Sequence, residues 1–230
     1  MLEHVPAAER ALREYFPERS WAVRLVLKEE NARHSILEKW QERQLVHFVE
    51  ILTSLSGDLY RAHQQKMIST LAWVTRNLLE LSVWIEFCTA SDTNAKRFDE
   101  DAMRDMLGWS NAIQGMFTDK HDEEHKKLSG KIDDLKNFAV SKGMAPLDDD
   151  FKQVREAADE LGRTNFRWLY KLYSKFAHPT AWIVHSASSV EADEDFRDMF
   201  FTDGVDLAIG SLTRIRQRVL AAFPELQSNE

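Results

Sequence analysis

The chain has 230 residues, 43% of them apolar, with only 8 glycines and 5 prolines: enough for a real core, and too few turn formers for a many-stranded β architecture. A net charge of −8 argues against the broad basic footprint of general nucleic-acid binding. A lone cysteine, Cys88, excludes an intramolecular disulfide and a cysteine-based zinc site and reads as an inert core thiol.

The first twenty residues carry charges throughout and no hydrophobic run, so they do not read as a secretory signal. No stretch reaches the ~18 uncharged apolar residues of a membrane span. The expected location is the cytoplasm, with no membrane partner. Pro6 to Tyr15 predicts a short helix, stopped near Pro17. Ser20 stands where it can cap the next helix, and the polar run Lys28 to His34 reads as a break or an exposed turn. From Ile36 the apolar positions Ile36, Leu37, Trp40, Phe48, Ile51, Leu52, Leu55 and Leu59 recur at helical spacing, giving an amphipathic helix that Gly57 bends or ends. Met67 to Cys88 is apolar on almost every side and is expected as the central core helix.

Ser91-Asp92-Thr93 is a cap cluster before a helix through Met106, Trp109 and Phe117. Thr118-Asp119 caps another, Lys120 to Ser141, closed by Gly143 in the left-handed position. Pro146 and Asp148-Asp149-Asp150 form a loop, followed by a helix to about Leu161 and, after Gly162 to Thr164, one carrying Phe166, Trp168, Leu169, Leu172, Tyr173 and Phe176. Pro179 ends or kinks that helix, Trp182-Ile183-Val184 is a short apolar piece, and Asp203 to Phe223 is a last amphipathic helix. The acidic run Glu191 to Asp206 reads as a solvated loop and exposed helix face. The whole predicts an all-α fold: one helical-bundle domain over residues 1–230, with an exposed helical hairpin at about 119–150.

Within the core helix stand Arg76 and Glu80, four residues apart and so on one face. Charges on a buried helix are tolerated when paired and hydrogen-bonded. The pair predicts an interior polar site in which Arg76 forks onto Glu80, whose pKa Arg76 lowers and burial raises. Downstream, Tyr173-Ser174-Lys175-Phe176-Ala177-His178-Pro179 sets a histidine at a helix end. Glu80 and His178 are the catalytic candidates, His178 as acid or base near neutral pH; Arg76, Lys171, Tyr173 and Ser174 are the ligand-binding candidates, and His185 is an outlier. The same residues also suit a structural role, as an ion pair that fixes helix register beside a histidine cap. In that alternative the chain is a non-enzymatic protein-interaction module whose hairpin recruits a protein partner. The aromatic set Trp73, Trp84, Trp168, Tyr170, Tyr173 and Trp182 reads as core.

Arg-x-x-x-Glu in a central apolar helix, with a later Tyr-Ser-x-x-x-His-Pro, resembles uncharacterised bacterial helical-bundle proteins distantly related to the HEPN superfamily (higher eukaryote and prokaryote nucleotide-binding proteins). The resemblance covers Trp73 to Phe87 and Leu169 to His185. It implies a bundle with Arg76, Glu80, Ser174 and His178 lining one site, a nucleotide or RNA as partner, a homodimer, and a role in stress or phage defence. Nuclease members of that superfamily carry an Arg followed, with four to six residues between, by a His, and no arginine here stands so before a histidine. Lys171, with six residues between it and His178, stands nearest, and a lysine meets phosphate as a point charge where an arginine forks onto it. The resemblance therefore implies nucleotide or small-ligand binding before RNA cleavage.

Other chemistries fit less well. His121-Asp122-Glu123-Glu124-His125 matches the inverted zinc-protease pattern, but its surroundings are polar on every face, as a solvated helix is. A di-iron bundle needs Glu-x-x-His, and no histidine here has Glu three residues before it. With no glycine-rich phosphate loop, no cofactor and no metal are expected.

Overall fold

The computed structural model describes residues 4–34, 39–117, 123–147, 153–178, 185 and 193–224. The elements are α1 (Val5–Arg10), a π-helical turn (Ala11–Tyr15), α2 (Phe16–His34), α3 (Lys39–Gln64), α4 (Ile68–Ala90), α5 (Asp92–Gln114), α6 (Glu123–Ser141), α7 (Val154–Glu160), α8 (Phe166–Ala177) and α9 (Glu194–Ala222). The described residues contain no strand, so the fold is the all-α bundle expected from the sequence. No helix among them is long and apolar enough to cross a membrane.

The axis of the bundle is α4, which packs against α3, α5, α7, α8 and α9. Its Leu71, Val74, Leu78, Ile85 and Cys88 are fully buried. Burial pushes the Cys88 thiol well above its ordinary range, which makes it a packing residue. The long α9 crosses α4 and α3 at Gly204, where a Cβ would lie 2.7 Å from Leu59 Cδ1 and 3.0 Å from Thr75 Oγ1. Beside it, the Thr75 hydroxyl donates to the Phe200 carbonyl at 2.8 Å. Glu86 of α4 ties in two further pieces: Arg163, in the loop before α8, donates from Nε at 2.8 Å, and Arg214 of α9 lies 3.5 Å away.

Several boundaries match the expected caps. Ser91 ends α4 and caps α5, its hydroxyl accepting from the Asn94 N–H at 3.1 Å. Gly143 closes α6 with φ +66°, while the Met144 N–H returns to the Ala139 carbonyl. Others differ. Pro17 does not stop the first helix, because the π-helical turn before it bonds the Phe16 N–H to the Ala11 carbonyl and shifts the register ahead of a residue with no N–H to give. The backbone of Lys28 to His34 is helical. Gly57 lies inside α3, which closes at Lys66, a non-glycine at φ +57°, with the Met67 N–H bonded to the Ala62 carbonyl at 2.9 Å. The last helix starts at Glu194, not Asp203, capped by the Asp193 carboxylate. Its acidic face is not all solvated, since Asp198 is buried.

The span 119–150, expected as a hairpin by itself, holds one described helix, α6, which packs chiefly on α5; the helical pair is α5 with α6, where Leu107, Ile132 and Ala139 are buried. Met106 and Trp109 of α5 are exposed. Trp73 and Trp168, expected in the core, are 47% and 56% exposed. Ile36 and Leu37, the Thr118-Asp119 cap, Asp148 to Asp150, Pro179 and Trp182 to Val184 lie outside the described residues.

Candidate functional site

The outward face of α4 runs Trp73, Arg76, Asn77, Glu80, Trp84, and α8 lies against it. Successive outward positions repeat at three and four residues, so the two charges that interrupt the apolar helix share a face the bundle leaves partly open. The predicted interior site is therefore a surface one. Arg76 and Glu80 are 19% and 28% exposed, and both Lys171 and His178 are exposed.

Arg76 is the hub. Its Nε stands 3.2 Å from Glu80 Oε1, Nη1 is 2.9 Å from His178 Nε2, and Nη2 donates to the Tyr170 hydroxyl. The guanidinium carbon also sits 4.5 Å from the Tyr170 ring centroid. An arginine only donates, so in this contact His178 Nε2 stands in the acceptor position. Beyond α8 the His178 backbone turns extended, its N–H held by the Ser174 carbonyl at 3.2 Å. Burial pushes the Glu80 carboxyl above its ordinary value, and Arg76 pulls it part of the way back.

Two of the expected ligand residues lie elsewhere. Tyr173 is buried, and its hydroxyl donates to Asp203 Oδ2 of α9 at 2.8 Å, away from Arg76. Burial, the Asp203 charge and that hydrogen bond hold its phenol far above the ordinary range. Asp203 is itself raised, by burial and by Asp206, with the Tyr173 hydrogen bond working the other way. The Ser174 hydroxyl is buried with no hydrogen-bond partner among the described residues. Replacing Tyr173 with Phe is expected to destabilise the fold by about 1–3 kcal/mol at neutral pH, because a buried carboxylate loses its donor. The deficit should shrink as pH falls and Asp203 protonates, which urea melts at neutral and acid pH would measure.

The residues missed by the sequence reading are Tyr170, assigned to the core, and Asp203, assigned to a solvated run. Tyr170 carried a legible signal, since Tyr170, Ser174 and His178 step by four along one side of α8. Nothing local marks Asp203, whose partner is thirty residues away in sequence.

The metal pattern has no support here. His121 and Asp122 lie outside the described residues, Glu123 and Glu124 pair with Lys126 and Lys127 in solvent, and no group of metal-ligating residues gathers among the described residues.

No curated protein and no solved structure matches the chain. A family model does, over residues 42–196, a span that holds Arg76, Glu80, Tyr170, Ser174 and His178 and stops short of Asp203. The chain thus belongs to DUF5677, a family of unknown function.

Proposed function

We propose that the chain is a HEPN-like helical module whose Arg76–His178 site binds the phosphate of a nucleotide or an RNA end, in stress or phage defence. The observation that carries this reading is the 2.9 Å contact between Arg76 Nη1 and Nε2 of an exposed histidine. A phosphate oxygen is a better acceptor for a guanidinium than an imidazole is, because the bond becomes charge-assisted on both sides. Moving Nη1–H from His178 onto a phosphate would free the Nε2 lone pair, leaving His178 placed to take a proton beside the ligand. Lys171, exposed seven residues before His178 on α8, adds charge from the rim. On this reading the protein is cytoplasmic and forms a homodimer, as members of the resembled superfamily often do.

The test is equilibrium binding of a 5′-phosphorylated oligoribonucleotide to the full chain beside His178→Ala, together with RNA cleavage by both, after circular dichroism has shown both folded. The parent is expected to bind, and the variant to lose about tenfold in affinity. Equal binding by parent and variant, or none by the parent, would overturn the reading.

A second reading is favoured by the crowding of Arg76, which already has Glu80, Tyr170 and His178 around it. Here the cluster is a structural clasp between α4 and α8, and the protein is an interaction module that takes a protein partner on the α5–α6 hairpin, where Met106, Trp109, Phe138 and Val140 are exposed.

A further inference from the structure

Next to the Arg76 site, α4 forms the floor of an open groove of about 490 Å³, walled by α5 and the start of α7. That volume lies within the usual range for a small-molecule pocket. Its apolar wall is aromatic: Trp84 and Phe98 meet at 5.0 Å between ring centroids, inclined at 54°, and Val154 also lines the groove. The charged groups that line it are all carboxylates, Glu80, Asp101 and Asp105. Arg104 neutralises Asp101 at 2.7 Å, and Arg76 stands by Glu80, which leaves Asp105 exposed at the rim with no ion pair among the described residues.

Glu80 belongs to both places. Its Oε1 is 3.2 Å from Arg76 Nε, and its side chain lines the groove. A ligand whose phosphate rests on Arg76 and His178 therefore has the groove as its nearest concave surface. Along α4 the distance from Arg76 to Trp84 is about 12 Å, two turns of helix. The groove repels a second phosphate, offers aromatic faces to a planar ring, and presents hydrogen-bond acceptors at its edge.

We infer that the groove is a base pocket selective for nucleotides whose base carries an exocyclic amino group: adenine, cytosine or guanine. This rests on the phosphate reading of the Arg76 site. The selectivity follows from the donor and acceptor pattern. Adenine N6, cytosine N4 and guanine N2 each bear an NH₂ that a carboxylate accepts, whereas uracil flanks its one ring N–H with carbonyl oxygens that a carboxylate repels. Stacking on Trp84 and Phe98 serves any base, so discrimination falls to Asp105 and Glu80.

The experiment is calorimetric titration of the full chain with AMP, CMP, GMP, UMP and ribose 5-phosphate, repeated with Asp105→Ala and Trp84→Ala. AMP, CMP and GMP are expected to bind about tenfold more tightly than UMP, and ribose 5-phosphate more weakly than all three. Asp105→Ala should bring the AMP-to-UMP ratio towards one. Trp84→Ala should weaken all four nucleotides towards ribose 5-phosphate. Since Asp105 is exposed, its variant tests the pocket even if Trp84→Ala fails to fold. Four nucleotides bound alike, or ribose 5-phosphate bound as tightly as AMP, would overturn the base pocket and leave the phosphate site standing. Binding of none of the five would overturn both.

Discussion

Arg76→Ala is expected to lower the stability of the folded chain by about 2–3 kcal/mol at neutral pH. Removing one partner of a fully buried pair costs about 3–5 kcal/mol, and the partial exposure of Arg76 and Glu80 reduces that figure. The cation–π contact with Tyr170 adds a part of about 1 kcal/mol. The dependence on pH identifies the source. Burial already raises the Glu80 pKa in the folded chain, so folded Glu80 binds its proton more tightly than the unfolded chain does, and stability contributed by Glu80 falls as pH rises through that raised value. Without Arg76 the pKa rises further, because the two effects that lowered it both came from the guanidinium. The deficit of Arg76→Ala should thus be largest at neutral pH and shrink on acidification towards the ordinary carboxylate range. Urea melts of parent and variant across that window would measure it, and a deficit independent of pH would place its source outside Glu80. Arg76→Lys separates the two readings of the site. A lysine keeps the charge near Glu80 but cannot contact Glu80, Tyr170 and His178 together, so most of the stability should return. Phosphate binding should stay lost if the fork is what recognises the ligand, and the clasp reading predicts no phosphate binding by parent or variant.

The α4 helix was readable because its signal is dense: an apolar run on nearly every side with two charges four apart. The caps at Ser91 and Gly143 were readable because each rests on a residue type with a specific backbone or side-chain role. The misread boundaries share a physical cause. Pro17 and Gly57 are helix breakers by propensity, and a π-helical turn and tertiary packing overrode them, while the real end of α3 falls on a lysine that no cap rule marks. For the site, spacing along α4 brought Arg76 and Glu80 together correctly. The error lay in depth. An apolar helix was expected to be covered all round, yet α3, α5, α8 and α9 leave the strip from Trp73 to Trp84 partly open. On α8, the helical angle decides between neighbours: Tyr170 turns towards Arg76, and Tyr173, three residues on, turns inward to Asp203. Composition cannot make that distinction, since both are tyrosines on an amphipathic helix.

The seat of α9 gives the other large effect. Gly204→Ala is expected to destabilise the fold by about 2 kcal/mol, and Gly210→Ala, six residues later in the same helix, to stabilise it by about 0.5–1 kcal/mol. Helix propensity favours alanine equally at both positions, so their difference isolates packing. At Gly210 no atom of the described residues beyond the helix's own local backbone lies within 4 Å of the added Cβ. At Gly204 the methyl would meet both terminal carbons of Leu59, at 2.7 and 2.8 Å, and Leu59 is fully buried with no open side to swing into. Thr75 Oγ1, 3.0 Å away, would be pushed as well, and it holds the Phe200 carbonyl. The strain should reach the site through the adjacent residue. Asp203 fixes Tyr173 of α8, and α8 carries Tyr170 and His178 to Arg76, so a shifted α9 moves the far side of the phosphate site. Gly204→Ala should therefore weaken phosphate binding as well as stability, whereas Gly210→Ala should leave binding unchanged. Thermal melts paired with titration of ribose 5-phosphate would measure both, and unchanged binding in a measurably destabilised Gly204→Ala would show that the bundle absorbs the strain before it reaches α8.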